Sequence, residues 1–184
     1  MNIYVECPRV ENERFLFRPV TELDCEDLLR VYSDRAAVPL FNSDNCHGDD
    51  FYYKTPERML QGIKMWLWSY TQEQFVRWSI VDKAAGCAVG TIELFCREAE
   101  AGKDIVLRLD LRSDYEREEP ILAILSMLFP QVYGWFDCGR LITKAIPMAK
   151  NRIRVLKRMG FKPCDRPLIG HDGTQYGDYW QCTM

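Results

Sequence analysis

Glu93 and Asp110 each sit in an alternating run, Glu93 between Ile92 and Leu94 and Asp110 between Leu109 and Leu111. A strand carboxylate facing a cleft loses hydration, so its pKa rises and it becomes suited to general-base work near neutrality. The plainer expectation is that the flanking apolar residues point inward and Glu93 points into solvent. Tyr133, Tyr176 and Tyr179 carry phenols that can donate a proton; the alternative is that they are core or rim aromatics. Cys46-His47 with Asp49-Asp50 has the residue types of a metal site, yet reads more simply as a polar loop. His47 and His171 lie far apart in the chain, and no metal is expected.

Those residues need elements to hold them. Arg14 to Val20 reads as a strand, followed by Thr21-Glu22-Leu23-Asp24 as turn and cap. The next helix puts Leu28, Leu29 and Tyr32 on one face. Residues 35–54 are irregular and polar, a long loop expected either to select a substrate or to be disordered. Thr55-Pro56 opens a second helix whose stripe is Met59, Leu60, Ile63, Trp66, Leu67 and Tyr70. Trp66 and Trp78 fit hydrophobic packing, whereas Trp68 falls off the stripe and is the candidate contact for a homodimer.

Phe75 to Val81 and Cys87 to Phe95 form a hairpin around Lys83-Ala84-Ala85-Gly86. Residues 105–111 alternate as a third strand, pairing with 87–95 and leading to a helix from about Pro120 to Phe136 that Pro130 should kink. Arg140 to Ile146 is a strand, and Ala149 to Met159 a basic helix closed by Gly160. Strands near Phe161–Cys164 and Tyr176–Cys182 end the chain, joined by a turn at His171-Asp172-Gly173. This order predicts one α/β (α+β) domain over residues 1–184, with a mixed, largely antiparallel sheet flanked by helices.

The eight cysteines are scattered without C-x-x-C spacing, and the first residues carry no export signal. Free thiols and a cytoplasmic location follow as expectations. A formal net charge of -3 without a basic tail argues against nucleic acid or an anionic membrane as partner.

Four stretches in this order resemble the GNAT acyl-CoA N-acyltransferase superfamily, in the flavour of the ribosomal-protein-alanine N-acetyltransferases. They are Glu13 to Pro19 with Asp24 and Leu28, Ala88-Val89-Gly90-Thr91-Ile92, Ile153 to Phe161 (IRVLKRMGF), and the closing Asp172-Gly173 to Asp178-Tyr179. The resemblance implies acetyl-CoA as acyl donor and a small-molecule or peptide amine as acceptor. It implies that the pantetheine arm lies between two splayed strands and that backbone amides at a helix N-terminus wrap the pyrophosphate. A carboxylate deprotonates the ammonium, and a donor protonates the leaving thiolate. The site residues it points to are Glu93 as base, Tyr133 as proton donor, and Leu111, Arg112, Arg117, Glu118, Glu119, Pro120, Ile121 and Arg152 for the cofactor.

The match departs from the family at the loop Asp114 to Ile121. Glu116 stands at the family's Gln/Arg position, and Glu119 and Ile121 stand at its two glycines. Three glutamates would repel a pyrophosphate, at ~4 kcal/mol per charge pair at 4 Å and an effective dielectric of about 20. In the basic helix the family's Asn falls at Ala149 and its Ser at Arg152. Lys150, Arg152, Arg154, Lys157 and Arg158 could meet a 3′-phosphate or simply form a solvated face. Two functions stay open: a divergent transferase using Arg112, Arg117 and backbone amides, or a GNAT-fold interaction module that has lost acetyl-CoA.

Overall fold

A computed structural model describes residues 2–99, 102–136 and 138–183. The strands are β1 (Val10–Glu11), β2 (Phe15–Pro19), β3 (Val76–Asp82), β4 (Cys87–Ala99), β5 (Gly102–Leu111), β6 (Arg140–Lys144), β7 (Lys162–Pro163), β8 (Leu168–Ile169), β9 (Gln175–Tyr176) and β10 (Tyr179–Thr183). The helices are α1 (Cys25–Tyr32), α2 (Pro56–Thr71), α3 (Glu118–Trp135) and α4 (Lys150–Arg158). Eight strands form one sheet in the order β1-β2-β3-β4-β5-β6-β10-β7, and β8 and β9 form a separate hairpin.

Every pairing in the large sheet is antiparallel except β5 with β6. That exception follows from connectivity: the two strands are joined through α3, a crossover that returns the chain in the same direction. On one face of the sheet Ile92, Leu94, Leu107, Leu109 and Leu111 pack with Ile121, Ile124, Leu125 and Leu128 of α3 and with Val155 and Leu156 of α4. On the other face α1 and α2 bring Leu28, Tyr32, Met59, Ile63 and Trp66 into a second cluster.

Cys87–Ala99 and Gly102–Leu111 pair from Gly90↔Leu111 to Ala99↔Gly102, as the alternation of 105–111 predicts. The register of β3 on β4 shifts between Ile80 and Val81. Close by, a Cβ on Gly90 would lie 2.2 Å from the Asp110 carbonyl oxygen, so only glycine admits this approach of β4 to β5. The Thr55 hydroxyl caps α2 by accepting from the Arg58 amide, and Gly160 leaves α4 at φ +88.

Two expectations need correction. Tyr176–Cys182 is not one strand, because Asp178 adopts a left-handed φ of 63 and breaks the run into β9 and β10. The His171-Asp172-Gly173 turn therefore closes the small β8–β9 hairpin rather than joining two strands of the large sheet. Glu93 does not face solvent either: its side chain is 1% exposed, since α1, α2 and the 41–54 loop cover the face that alternation assigns to water. All eight cysteines are unbridged, with Cys96 and Cys138 sulfurs 2.9 Å apart. Trp68 is exposed and Trp66 and Trp78 are buried.

Candidate active site

The parallel ladder between β5 and β6 stops at Leu107↔Thr143, whereas β5 continues to Leu111. Beyond that rung β6 stays with β10, through Tyr179↔Lys144 and the Ala145 amide bonded to the Asp178 carbonyl. A slot therefore opens between two parallel strands. Its lining is Leu107, Leu109, Ile121, Leu125, Thr143, Lys144, Arg152 and Leu156. The free space left in it is only about 10 Å³.

Arg152 occupies that space. It is buried, donates from Nε to Glu116 at 3.0 Å and from Nη1 to the Leu40 carbonyl at 3.0 Å, and its Nη2 forms a further short contact with Glu116. Burial lowers its pKa, but the Glu116 charge and hydrogen bonds outweigh this and the net shift is upward. The Asn151 amide donates to the Glu116 carbonyl at 2.7 Å. An arginine of α4 and a glutamate of the preceding loop thus hold each other across the slot.

The rest of the loop pairs outward. Arg112 holds both Asp114 oxygens at 2.7 and 2.9 Å, which lowers the Asp114 pKa. Glu118 meets Arg154 at 2.8 Å, and Glu119 meets Arg14 at 2.5 Å. Arg117 donates to the Asp114 carbonyl at 2.9 Å. Each of the three glutamates is met by an arginine: Glu116 and Glu118 by Arg152 and Arg154 of α4, and Glu119 by Arg14, just before β2. Pro120 and Ile121 are buried, and the Ile121 amide already serves the first helical bond to Arg117. Leu111 is wholly buried in the core. The acids at the start of α3 also satisfy the helix dipole that a phosphate would otherwise use.

Across the sheet from the slot lies a polar layer. Arg77 donates to Glu93 from Nε at 2.9 Å and from Nη2 at 2.5 Å, and approaches Asp110 at 3.3 Å. Its guanidinium carbon sits 4.1 Å from the Trp66 ring centroid. Arg108 donates to the other Glu93 oxygen at 2.8 Å and to the Asp44 carbonyl at 2.7 Å. Burial raises the Glu93 pKa, but Arg77 and Arg108 more than reverse this and keep it an anion. For Asp110, burial is the largest cause and wins: its pKa is raised despite Arg77 and the Tyr32 hydroxyl, which donates at 2.7 Å. Two buried atoms have no partner among the described residues, Arg108 Nε and Asp110 Oδ1.

Tyr133 stands elsewhere. Its hydroxyl donates to the Cys182 carbonyl at 3.2 Å, and burial pushes its pKa up to about 12. It lies fifteen residues beyond the start of α3, about 22 Å along the axis at 1.5 Å per residue. Tyr179 pairs through its backbone with Lys144 at the slot, while its phenol lies in the pocket beneath the β8–β9 hairpin and donates to Asp44 at 3.1 Å. Arg77 and Arg108 were absent from the sequence-based site; their signal is an arginine inside an alternating strand run, which solvent exposure explains just as well. Among the described residues no group of three or more His, Cys, Asp or Glu could hold a metal ion. Asp49 is engaged instead with Tyr53 and Arg58, at 2.8 and 2.6 Å.

A mostly antiparallel sheet with one parallel pair that splays after a few rungs, and a loop leading into a helix at the splay, is the architecture of an acyl-CoA N-acyltransferase. The acetyltransferase (GNAT) domain model matches residues 14–162, and the chain belongs to that family. It is similar to the ribosomal-protein-S5-alanine acetyltransferase of Vibrio fischeri, with TM-score 0.63, 16% identity, and 96% of each chain covered. A GNAT-family acetyltransferase from Bacillus anthracis superposes with TM-score 0.68 at 12% identity, covering 96% of this chain and 98% of that one. The microcin C7 self-immunity acetyltransferase, solved with acetyl-CoA and AMP, gives TM-score 0.71 at 12% identity over 94% of each chain. No curated protein sequence matches the chain. Among the described residues no helix is long and apolar enough to cross a membrane.

Proposed function

We propose that this protein transfers an acyl group, with acetyl-CoA as donor, to a primary amine. The observation that carries the reading is the pair of clefts on opposite faces of one stretch of β5. Leu107 and Leu109 line the slot, while Val106 and Arg108 line a pocket of about 380 Å³ beneath the β8–β9 hairpin. The strand period of two puts donor and acceptor clefts back to back where the β5–β6 ladder ends.

The slot fits a pantetheine arm in its apolar walls and unpaired strand edges, provided Arg152 leaves Glu116. Arg152, released, joins Lys150 and Arg154 as cations for the phosphates, around a cleft of about 300 Å³ at the start of α4. Asp110 is the base in this reading, in place of Glu93, which two arginines hold as a weakly basic anion. A carboxylate with a raised pKa and a free oxygen accepts a proton near neutrality more readily. The ammonium gives its first proton to Asp110. The amine nitrogen then attacks the thioester carbonyl, the C–S bond breaks, and the thiolate takes the second proton. Tyr179, in place of Tyr133, relays that second proton from the nitrogen to the thiolate.

The test follows acetylated product from acetyl-CoA and a panel of amines against pH. The rate should rise with pH through the Asp110 pKa, above the ordinary aspartate value of about 3.9. Asp110→Asn should cut kcat by about 10²–10⁴ and flatten that limb. An Asp110→Asn enzyme with the wild-type pH profile would remove Asp110 from the mechanism.

A further inference from the structure

We infer that the acceptor amine carries a carboxylate close to its nitrogen, bound by Arg108 in the pocket beneath the β8–β9 hairpin. This rests on the transfer reading above and specifies its substrate class. Arg108 lines the pocket with Phe95, Val106, Leu168, Tyr176 and Tyr179. Its side chain is 10% exposed, yet its Nε–H has no acceptor among the described residues. A buried charged donor is costly to leave unmade, and an oxyanion supplied by a ligand satisfies it.

The neighbouring charges leave that demand unanswered. Glu93, the one carboxylate on Arg108 among the described residues, is shared with Arg77. Asp44 at the pocket rim is held by Lys144 at 2.6 Å and by the Tyr179 hydroxyl. Glu98 is exposed and 3.6 Å from Lys103, while Arg97 donates to the Ile169 carbonyl at 3.1 Å. His171 packs on His47, with ring centroids 4.7 Å apart. The unmatched group among the residues lining the pocket is therefore cationic. A volume of about 380 Å³ suits a small zwitterion such as an amino acid, at the small end of ligand pockets. An amine at the end of a polypeptide presents a neutral amide where this pocket asks for an anion.

The experiment compares free α-amino acids with their amides and with peptide amides as acceptors, reading acetylated product by mass. Amino acids should exceed their amides in kcat/KM by at least about tenfold. Arg108→Lys keeps a cation for Glu93 but loses the Nε–H and the planar fork. It should raise KM for amino acids about tenfold with little change for the amides. Equal use of amino acids and amides by wild type would overturn the inference while leaving the transfer reading intact, even if the variant did not fold. An equal rise in KM for both acceptor classes would also overturn it. No transfer to any amine, with acetyl-CoA bound, would overturn the transfer reading and this inference with it.

Discussion

Charged side chains crowd both sides of the β5–β6 slot, but they are held in different ways. Beneath α1 and α2, Arg77, Glu93 and Asp110 are about 1% exposed and project from neighbouring strands whose ladders fix their spacing. At the start of α3, Glu118 and Glu119 are 51% and 71% exposed and pair with arginines from distant elements. A buried pair cannot be opened without stranding a charge, whereas water replaces an exposed partner at little cost. The buried layer is thus preorganised and the loop before α3 is adjustable. Arg152 with Glu116 lies between these extremes: it is buried like the first group, but ties α4 to the loop that, in the proposed transfer, yields to a phosphate.

The comparison breaks first at Arg77. Arg77→Ala leaves Glu93 and Asp110 buried without their shared cation and should destabilise the fold by about 3–5 kcal/mol in urea titration. A loss below about 1 kcal/mol would mean that the buried layer is no more binding than the surface pairs. Acid unfolding sharpens the same contrast. Asp24 bonds Ser79 on the face that carries Arg77, at 2.8 Å, and bonds Arg18 at 2.5 and 2.8 Å. Burial raises its pKa, but Arg18, Thr21 and Ser79 outweigh this and the net shift is downward. Its contribution is therefore present above the unfolded pKa of about 3.9 and lost as pH falls through the lower folded value. Asp24→Asn should flatten the stability profile in that acid range. The smallest effect is expected at the surface: Glu119→Gln should change stability by less than about 1 kcal/mol. A larger loss would show that the Arg14 pair anchors the loop.

Most of the fold was legible because each long element carries its own periodicity and punctuation. Thr55-Pro56 announces α2, residues 105–111 alternate, and Gly160 ends α4. The break at Asp178 was not legible, since a left-handed aspartate leaves no mark in a run of strand-forming residues. The candidate site was legible only in outline. The loop 112–121 and Arg152 stand out by position, but their pairing depends on Arg14, more than a hundred residues before Glu119, and on Arg154. Glu93 looked solvent-facing because alternation gives a strand two faces and does not say what covers the second. The same ambiguity hid Arg77 and Arg108, and only α1, α2 and the β8–β9 hairpin resolve it.

Calorimetry of acetyl-CoA binding to wild type and Glu116→Gln measures directly whether an acyl-CoA can displace the Arg152–Glu116 pair. Removing the Glu116 charge frees Arg152 for phosphate, so the variant should bind about tenfold more tightly than wild type, a gain of ~1.4 kcal/mol. Wild type should still bind, with ligand at about 100 times its dissociation constant stabilising the fold by ~2.7 kcal/mol. Absence of binding to both proteins at millimolar acetyl-CoA would contradict the account.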